Sequence, residues 1–313
     1  MKVGFILNPA SGAAAGFHKR LHKAVAHLEK QGCTVEMLET QCKNDGIRLA
    51  RQAANEHYDV AVAVGGDGTI NEVCNGLAGT DTAMAVLPAG TGNVYAAELG
   101  IPIWGPLKPD AVVNGAKVIM TGQRRRIDLG RVHLADGSSR YFLMWCGIGL
   151  DAAITQAKPA STQMRELNYA TWAASGLMVA YDFMGTPATI TTDDETVKQR
   201  VLMAVVSNGQ LYGRIWRLAP EAKMDDGQLD VAVMTGHGWP STIKHVVGAT
   251  LKRHIKDPDF FLYHTTHLSL TAKHTLPIHV DAEPFGSTPA EIEVVPLALN
   301  VIVPHNASKK LFK

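Results

Sequence analysis

Residues 60–69 read VAVAVGGDGT and carry the signal that decides the fold. The first five are apolar without interruption, which is typical of a strand buried on both faces of a parallel sheet. Three glycines surround Asp67 in the turn that follows, and a helical pattern then places Ile70, Val73 and Leu77 on one face. A buried strand, a glycine-rich turn and a helix in direct succession predict an α/β unit. Functional groups are expected at the carboxyl end of its strand.

The same unit recurs on both sides of this stretch. Short strand-type runs occupy residues 2–8, 34–38 and 83–87, and a helical pattern runs from Phe17 until Gly32 stops it. A second helix is predicted around residues 47–54. Strands that alternate with helices predict a parallel sheet with helices on its faces.

The pattern changes after about Gly122. Short β-type runs at 141–144, 188–191, 201–206 and 229–234 predict a second, β-rich domain. Two helical stretches interrupt it, at 163–181 and 241–255. We expect both to cover a sheet or to line the rim of a cleft. The second carries four apolar residues on one face: Ile243, Val246, Val247 and Leu251.

Composition limits the class of protein. The chain of 313 residues is long enough for two domains, and 46% hydrophobic and 19% charged residues are ordinary for a globular protein. A net charge of +1 gives no general field for attracting nucleic acid. The longest apolar stretch, 169–181, is too short to cross a bilayer. Four cysteines without C-x-x-C spacing favour a cytoplasmic location.

The glycine-rich turn has the properties that a phosphate-binding loop requires. Glycines let the backbone approach a phosphate and expose main-chain N–H groups, and the following helix adds positive potential at its N-terminus. The turn ends in Gly68-Thr69 rather than Gly-Lys-Ser/Thr, and it lacks G-x-G-x-x-G spacing, so it is neither a Walker A loop nor a dinucleotide fingerprint.

The turn resembles the G-G-D-G-T loop of the diacylglycerol kinase catalytic domain family, which includes bacterial diacylglycerol kinases, YegS-like lipid kinases and sphingosine kinases. NAD kinases share the loop more distantly. Further segments match the lipid kinases in their order along nearly the whole chain. These segments are NPASG at 8–12, GGDGTINEV at 65–73, LPAGTGN at 87–93, CGIGLDA at 146–152, DDGQLD at 225–230 and VDAEP at 280–284.

This resemblance implies a Rossmann-like α/β nucleotide-binding domain at residues 1–124 and a β-sandwich domain at 125–313, with a C-terminal tail that returns to the first domain. It also implies ATP as phosphoryl donor, with Asp67 acting on Mg²⁺ through water. Phosphoryl transfer depends on positioning and neutralising anionic oxygens, which loop amides and a metal can do. The residues implied for nucleotide binding are Asn8, Pro9, Ala10, Ser11, Gly12, Thr40, Gly65, Gly66, Asp67, Gly68, Thr69, Ile70, Asn71 and Thr91.

Two acidic elements lie in the C-terminal half. Asp281 and Glu283 are two residues apart, so their side chains would point the same way in an extended strand. The resemblance makes Asp281 the base for an acceptor hydroxyl and Glu283 its partner, and which of the two takes the proton stays open. It also implies a second, structural Mg²⁺ bound by the Asp226 carboxylate with main-chain oxygens of Lys223 and Gln228.

Two positions depart from the family pattern. Val94 stands where many members have Asp, which is expected to thin a network around Asp67 that could include Asp128. Ala282 replaces the glycine of D-G-E, and the loss of access to positive φ is expected to shift the strand that carries Asp281.

The sequence therefore predicts a cytoplasmic kinase that phosphorylates a hydroxyl of a diacylglycerol-like or sphingoid-like lipid at the membrane surface. No nucleic acid partner is expected. Two alternatives stay open, a kinase of a soluble substrate of NAD kinase type and a nucleotide-binding regulatory protein without activity. A homodimer is also left open.

Overall fold

A computed structural model of the chain describes residues 1–9, 16–105, 108–157, 179 and 183–313. The helix predicted at 163–181 lies outside these residues apart from Val179. No helix in the described part of the chain is long and apolar enough to cross a membrane.

The N-terminal half is a parallel sheet with helices on both faces, as predicted. Its strands lie in the order β4-β3-β1-β2, and β3 is buried along its whole length. Helices α1 and α5 pack on one face, and α2 and α3 on the other. The strands are β1 (Lys2–Leu7), β2 (Thr34–Glu39), β3 (Val60–Gly65) and β4 (Ala83–Pro88). The helices are α1 (Phe17–Lys30), α2 (Asp45–Asn55), α3 (Asp67–Leu77), α4 (Val94–Leu99) and α5 (Ala111–Thr121).

The C-terminal half is β-rich, with its own core of aliphatic side chains such as Ile148, Val206 and Ile278. Most of its strand pairs are antiparallel, and two helices are described, α6 (Leu150–Gln156) and α7 (Gly238–Thr250). The strands are β5 (Gln123–Leu134), β6 (Ser139–Phe142), β7 (Trp145–Gly149), β8 (Thr186–Thr191), β9 (Thr196–Ser207), β10 (Leu211–Tyr212), β11 (Trp216–Arg217), β12 (Leu229–Thr235), β13 (Phe260–Thr265), β14 (His267–Ala272), β15 (Pro277–Val280), β16 (Glu283–Ser287) and β17 (Ala290–Val303).

The last strand connects the two halves. At its start β17 pairs with β14 in the β-rich half, and near its end Val301 pairs with Met84 of β4 in the parallel sheet. Strand β5 runs antiparallel to β17 from Ala290 to Val303. The predicted division at 124/125 therefore falls within a strand pair that both halves share. The predicted fold class, an α/β domain followed by a β-rich domain, is confirmed.

The predicted apolar face of α7 is exposed to solvent. The helix packs on the β-rich half through His245 and Ala249, which are buried, whereas Ile243, Val246 and Val247 on its other side are exposed. Its apolar face therefore covers no sheet in the described residues. Apolar periodicity identifies the face that avoids water, but it does not show whether another surface covers that face.

Candidate active site

The loops after β1, β2 and β3 meet at one edge of the parallel sheet, because parallel strands end at the same edge. The Asn8 side-chain amide donates to the Thr69 hydroxyl at 3.5 Å, and the Thr40 main-chain N–H donates to the Leu7 carbonyl at 2.9 Å. Pro9 is exposed beside them. The structure thus brings together the predicted residues of three loops, while Ala10, Ser11 and Gly12 lie outside the described residues.

A second glycine-rich loop, residues 89–93, lies directly against the first. A Cβ on Gly90 would overlap the Cα of Gly66, so only glycine allows the two backbones to come this close. Thr91 is exposed in this loop. Among the described residues no side chain caps the N-terminus of α3, so its first-turn amides receive no side-chain acceptor there. The two loops therefore form one surface with open amides and the positive end of a helix dipole, which suits an anion.

Asp67 is fixed at this surface. Its carboxylate accepts the Val94 main-chain N–H at 2.8 Å. The backbone at position 94 therefore holds Asp67, although the side chain at this position is Val and not the Asp of many family members. Burial raises the pKa of Asp67, main-chain N–H groups of Val94 and Asn93 oppose this, and the nearby charge of Asp281 raises it further. A half-buried carboxylate in this position would gain from a cation.

Arg214 is a charged group near Asp67 that the sequence analysis missed. Its guanidinium donates to the Gly92 carbonyl at 3.1 Å, and its charge opposes the rise in the pKa of Asp67. Arg214 lies 122 residues from Gly92 and follows a two-residue strand, so no local pattern identified it.

Asp281 is buried and its carboxylate accepts four hydrogen bonds. One comes from the Asn71 side-chain amide at 2.7 Å, which connects α3 of the first domain to the second domain. The others come from the main-chain N–H groups of Leu143 at 2.7 Å, Met144 at 2.9 Å and Trp145 at 3.1 Å. Burial raises the pKa of Asp281, and these donors act in the opposite direction. Asn71, predicted to bind nucleotide, thus lies next to the predicted base.

Asp281 and Ala282 form a two-residue hairpin turn between β15 and β16, so the expectation of an extended strand is wrong. Their φ values are 45° and 67°, as a type I′ turn requires at both central positions. Ala282 therefore adopts the positive φ that its side chain was expected to prevent, at a cost of about 1–2 kcal/mol.

A buried pair stabilises this turn. The Ala282 main-chain N–H donates to His279 Nδ1 at 3.1 Å, and His279 Nε2 lies 2.5 Å from an Asp151 carboxylate oxygen. Because Nδ1 accepts, Nε2 carries the proton and donates it to Asp151. His279 thus links the turn to α6.

Glu283 begins β16 and faces the glycine-rich loop. A Cβ on Gly68 would lie 3.1 Å from Glu283 Oε1, so backbone and carboxylate are close neighbours. The second oxygen, Oε2, lies 3.2 Å from Lys43 Nζ, and a third of the Glu283 side chain is exposed. Lys43 is a second group that sequence reasoning missed, since it follows β2 without a motif.

A small cavity lies between the carboxylates of Asp67 and Asp281. The Tyr95 hydroxyl and the Trp145 indole N–H are buried without a hydrogen-bond partner in the part of the chain that the structure describes, and both residues line this cavity. Ile70, predicted to bind nucleotide, is buried in the core and lines it as well. The full lining is Asp67, Ile70, Asn71, Tyr95, Leu143, Met144, Trp145 and Asp281.

The predicted second metal site lies elsewhere. Asp128 accepts the main-chain N–H groups of Gly227 and Leu297, both at 2.7 Å, so it lies beside the DDG turn. Burial, and then the charges of Asp226 and Asp225, raise the pKa of Asp128. The described residues contain no group of three or more acidic, His or Cys side chains that could hold a metal.

The donors at the DDG turn are nevertheless compatible with Mg²⁺. Asp226 supplies one carboxylate, which already accepts the Gln228 N–H at 3.1 Å, and Lys223 and Gln228 would add only main-chain oxygens. Such a set contains oxygen alone, as a hard cation requires. A cation here would also relieve the repulsion that raises the pKa of Asp128.

Two family models match the chain. The diacylglycerol kinase catalytic domain matches residues 2–132, and the YegS C-terminal NAD kinase beta sandwich-like domain matches residues 145–303. The fold and site thus define a two-domain kinase with an α/β domain and a β-sandwich domain. The chain belongs to the family of diacylglycerol kinases and YegS-like lipid kinases, and the resemblance inferred from its motifs is confirmed.

Individual relatives match nearly the whole chain. The chain is 27% identical over 310 residues to the diacylglycerol kinase of Bacillus subtilis, covering 98% of this chain and 97% of the relative. It is 27% identical over 288 residues to a probable lipid kinase YegS of Shigella flexneri, covering 91% of each. A solved diacylglycerol kinase structure from Bacillus anthracis shares the fold, with a TM-score of 0.71, 21% identity and 98% of both chains covered.

Proposed function

We propose that this kinase transfers the γ-phosphate of ATP to a hydroxyl group of a membrane lipid of diacylglycerol or sphingoid type. The relatives are named for diacylglycerol and lipid phosphorylation, which supports the acceptor class. The glycine-lined surface at the end of β3 is the proposed phosphate site. The protein would work from the cytoplasm at the membrane surface.

The observation that carries the proposal is the hydrogen bond between Asn71 and Asp281. Asn71 lies in the second turn of the helix that begins at the phosphate surface, and Asp281 lies in the hairpin turn of the other domain. The same helix therefore orients both the open amides and the candidate base region. Proximity of donor site and base is what phosphoryl transfer needs from a protein.

We propose Glu283, rather than Asp281, as the acceptor of the hydroxyl proton. Four donors already occupy the Asp281 carboxylate, so a proton there would displace one of them. Glu283 is partly exposed and beside Gly68, where an acceptor hydroxyl can reach it. Asp281 would fix the turn from which Glu283 projects.

In this reaction the lipid oxygen forms a bond to the γ-phosphorus as the bond to the β,γ-bridging oxygen breaks. The hydroxyl proton passes to Glu283, and ADP leaves with the bridging oxygen. Mg²⁺ bound with ATP would neutralise charge on the phosphates. Asp67 would hold that ion through water, and Arg214 would supply a positive charge at the rim of the phosphate surface.

The two departures from the family pattern do not favour the inactive regulatory alternative. Val94 still donates its main-chain N–H to Asp67, and Ala282 still adopts the turn conformation. Both elements therefore keep their geometry without the usual side chains.

The test is a kinase assay with purified protein, radiolabelled ATP and Mg²⁺ against diacylglycerol, sphingosine, NAD and a total lipid extract. Labelled lipid is the expected product, and Glu283→Gln is expected to lower kcat by about 10²–10⁴-fold, as loss of a general base does. Glu291→Gln, an exposed glutamate on β17, is the matched control. Labelling of NAD alone, or of nothing while ATP still raises the Tm, would refute the proposal.

A further inference from the structure

Helix α7 presents an apolar face to solvent. Twelve large apolar side chains are exposed in the described part of the chain, and six of them lie between residues 239 and 255. Their exposed fractions run from 41% to 58%. Four of the six lie in α7, Leu251 directly follows the helix, and Ile255 lies in the short 3-10 helix His254–Lys256. We call these six residues the α7 face: Trp239, Ile243, Val246, Val247, Leu251 and Ile255.

The spacing of the apolar residues along α7 produces most of this face. Residues 239, 243, 246 and 247 recur at helical spacing on the side opposite His245 and Ala249, which anchor the helix. A surface helix normally carries charged residues on its solvent side. An exposed apolar cluster of this kind marks an interaction site.

Basic side chains flank the carboxyl end of this face. Lys252, Arg253 and Lys256 are exposed, and none of them forms an ion pair with a described residue. Lys244, the one charged residue within the helix, is already paired with Asp257 and Asp259. The free positive charge therefore lies beside Leu251 and Ile255, although the whole chain carries only +1.

The α7 face is connected to the candidate active site through a short segment. The Trp216 indole N–H donates to Thr250 in α7 at 3.1 Å, and Arg214, two residues earlier, donates to the Gly92 carbonyl in the second glycine-rich loop. Ile215 between them is 55% exposed. The segment 214–216 thus leads from the helix to the rim of the phosphate surface.

We propose that the α7 face docks on an anionic lipid bilayer, with its apolar side chains among the acyl chains and Lys252, Arg253 and Lys256 at the headgroups. A helix with an aromatic residue, aliphatic residues and adjacent cations binds at a membrane interface in this way. Each basic residue near an anionic leaflet adds attraction that salt weakens. The choice of a bilayer over a protein partner rests on the proposed lipid kinase function.

The test is flotation of the full chain with vesicles, without ATP. The wild type is expected to float with phosphatidylcholine–phosphatidylglycerol vesicles, and Val246→Glu/Val247→Glu is expected to reduce the bound fraction at least about tenfold, since two apolar contacts become charged. Met37→Glu/Met120→Glu adds the same charge at exposed apolar positions of the first domain and is expected to float as the wild type.

A second pair of variants separates charge from apolar contact. Lys252→Ala/Arg253→Ala is expected to weaken flotation on the anionic vesicles and to remove its salt dependence, with little change on phosphatidylcholine alone. Lys309→Ala/Lys310→Ala, near the C-terminus, is the matched control. Retained flotation of Val246→Glu/Val247→Glu, or a change in its oligomeric state without vesicles, would overturn the docking face.

Kinase activity, measured beside flotation, separates the docking proposal from the kinase proposal. Val246→Glu/Val247→Glu is expected to keep its activity on a short-chain, water-soluble diacylglycerol and to lose activity on the same lipid class in vesicles. Vesicle binding through α7 with no lipid phosphorylated would leave the docking face standing and refute the kinase proposal alone.

Discussion

His279 accepts a hydrogen bond from the main-chain N–H of Ala282 at 3.1 Å, across the turn that contains Asp281. Its other ring nitrogen is held by Asp151 at 2.5 Å, so a buried pair fixes a turn in which two non-glycine residues have positive φ. The strained turn and the His279–Asp151 pair that supports it are therefore separate features, and each can be changed by its own substitution.

We expect His279→Ala to lower kcat about tenfold or more, because the turn that directs Glu283 loses its anchor. Ala282→Gly relieves the positive φ, so the same His279 substitution is expected to cost less in the Ala282→Gly background. A double-mutant cycle on kcat measures this difference. Equal losses in both backgrounds would show that His279 does not act through the turn.

Asn71→Asp places a second carboxylate against Asp281, where the amide now donates at 2.7 Å. We expect kcat/KM to fall about 100-fold, because two adjacent carboxylates repel and one takes up a proton. Asn55→Asp is the matched control, since Asn55 is exposed at the end of α2 and makes the same amide-to-carboxylate change away from Asp281. A similar loss for both variants would contradict a specific role of Asn71.

Gly90→Ala is expected to separate the two glycine-rich loops, because a Cβ there overlaps the Cα of Gly66. The KM for ATP should rise at least about tenfold, since a displacement of about 1 Å at a binding loop costs this much or more. Gly105→Ala is the control, because a Cβ at Gly105 meets no described atom within 4 Å. Steady-state kinetics of both variants measures the KM for ATP. A normal KM for Gly90→Ala would exclude the two glycine-rich loops as the phosphate site.

Glu293 makes stability depend on pH away from the active site. Hydrogen bonds from Arg131 and then His133 lower the pKa of Glu293 below its ordinary value of 4.5. A lowered pKa gives stability that is full above pH 4.5 and is lost as the pH falls through the folded-state value. Glu293→Gln should therefore lower the Tm at pH 7 by about 2–4 °C, for a contribution near 1 kcal/mol limited by solvent screening.

The difference between wild type and Glu293→Gln is expected to close as the pH is lowered below 4. Thermal melts at several pH values measure it, with Glu291→Gln on the same strand as control. A difference that grew on acidification would show that the sign of the linkage is wrong.

Mg²⁺ without nucleotide is expected to raise the Tm of the wild type, because it would bind the DDG turn and relieve repulsion at Asp128. At about 100 times the dissociation constant the stabilisation would be about 2.7 kcal/mol. Asp226→Asn should abolish this shift, whereas Asp194→Asn, an exposed control, should keep it. If Asp226→Asn responds to Mg²⁺ as the wild type does, the second metal site is not at this turn.

The sequence by itself determined the elements and the family. The unbroken apolar run at 60–64 favours a buried strand, and the glycines after it favour a tight turn into the helix that begins at Asp67, because local backbone preference and burial agree there. The same local logic placed α1, α2 and the strands at 34–39 and 83–88 within a few residues.

Tertiary structure decided the contacts that local rules do not contain. Asn71 and Asp281 are 210 residues apart in the sequence, and Arg214 donates to the carbonyl of Gly92, which is 122 residues away. No spacing in the sequence could therefore have predicted these two contacts. The sequence predicts a strand at Asp281 where the structure has a hairpin turn, because alanine at position 282 does not indicate a positive φ as glycine would. For α7, periodicity found the apolar face, but whether water or protein meets it depends on what the rest of the fold places beside it.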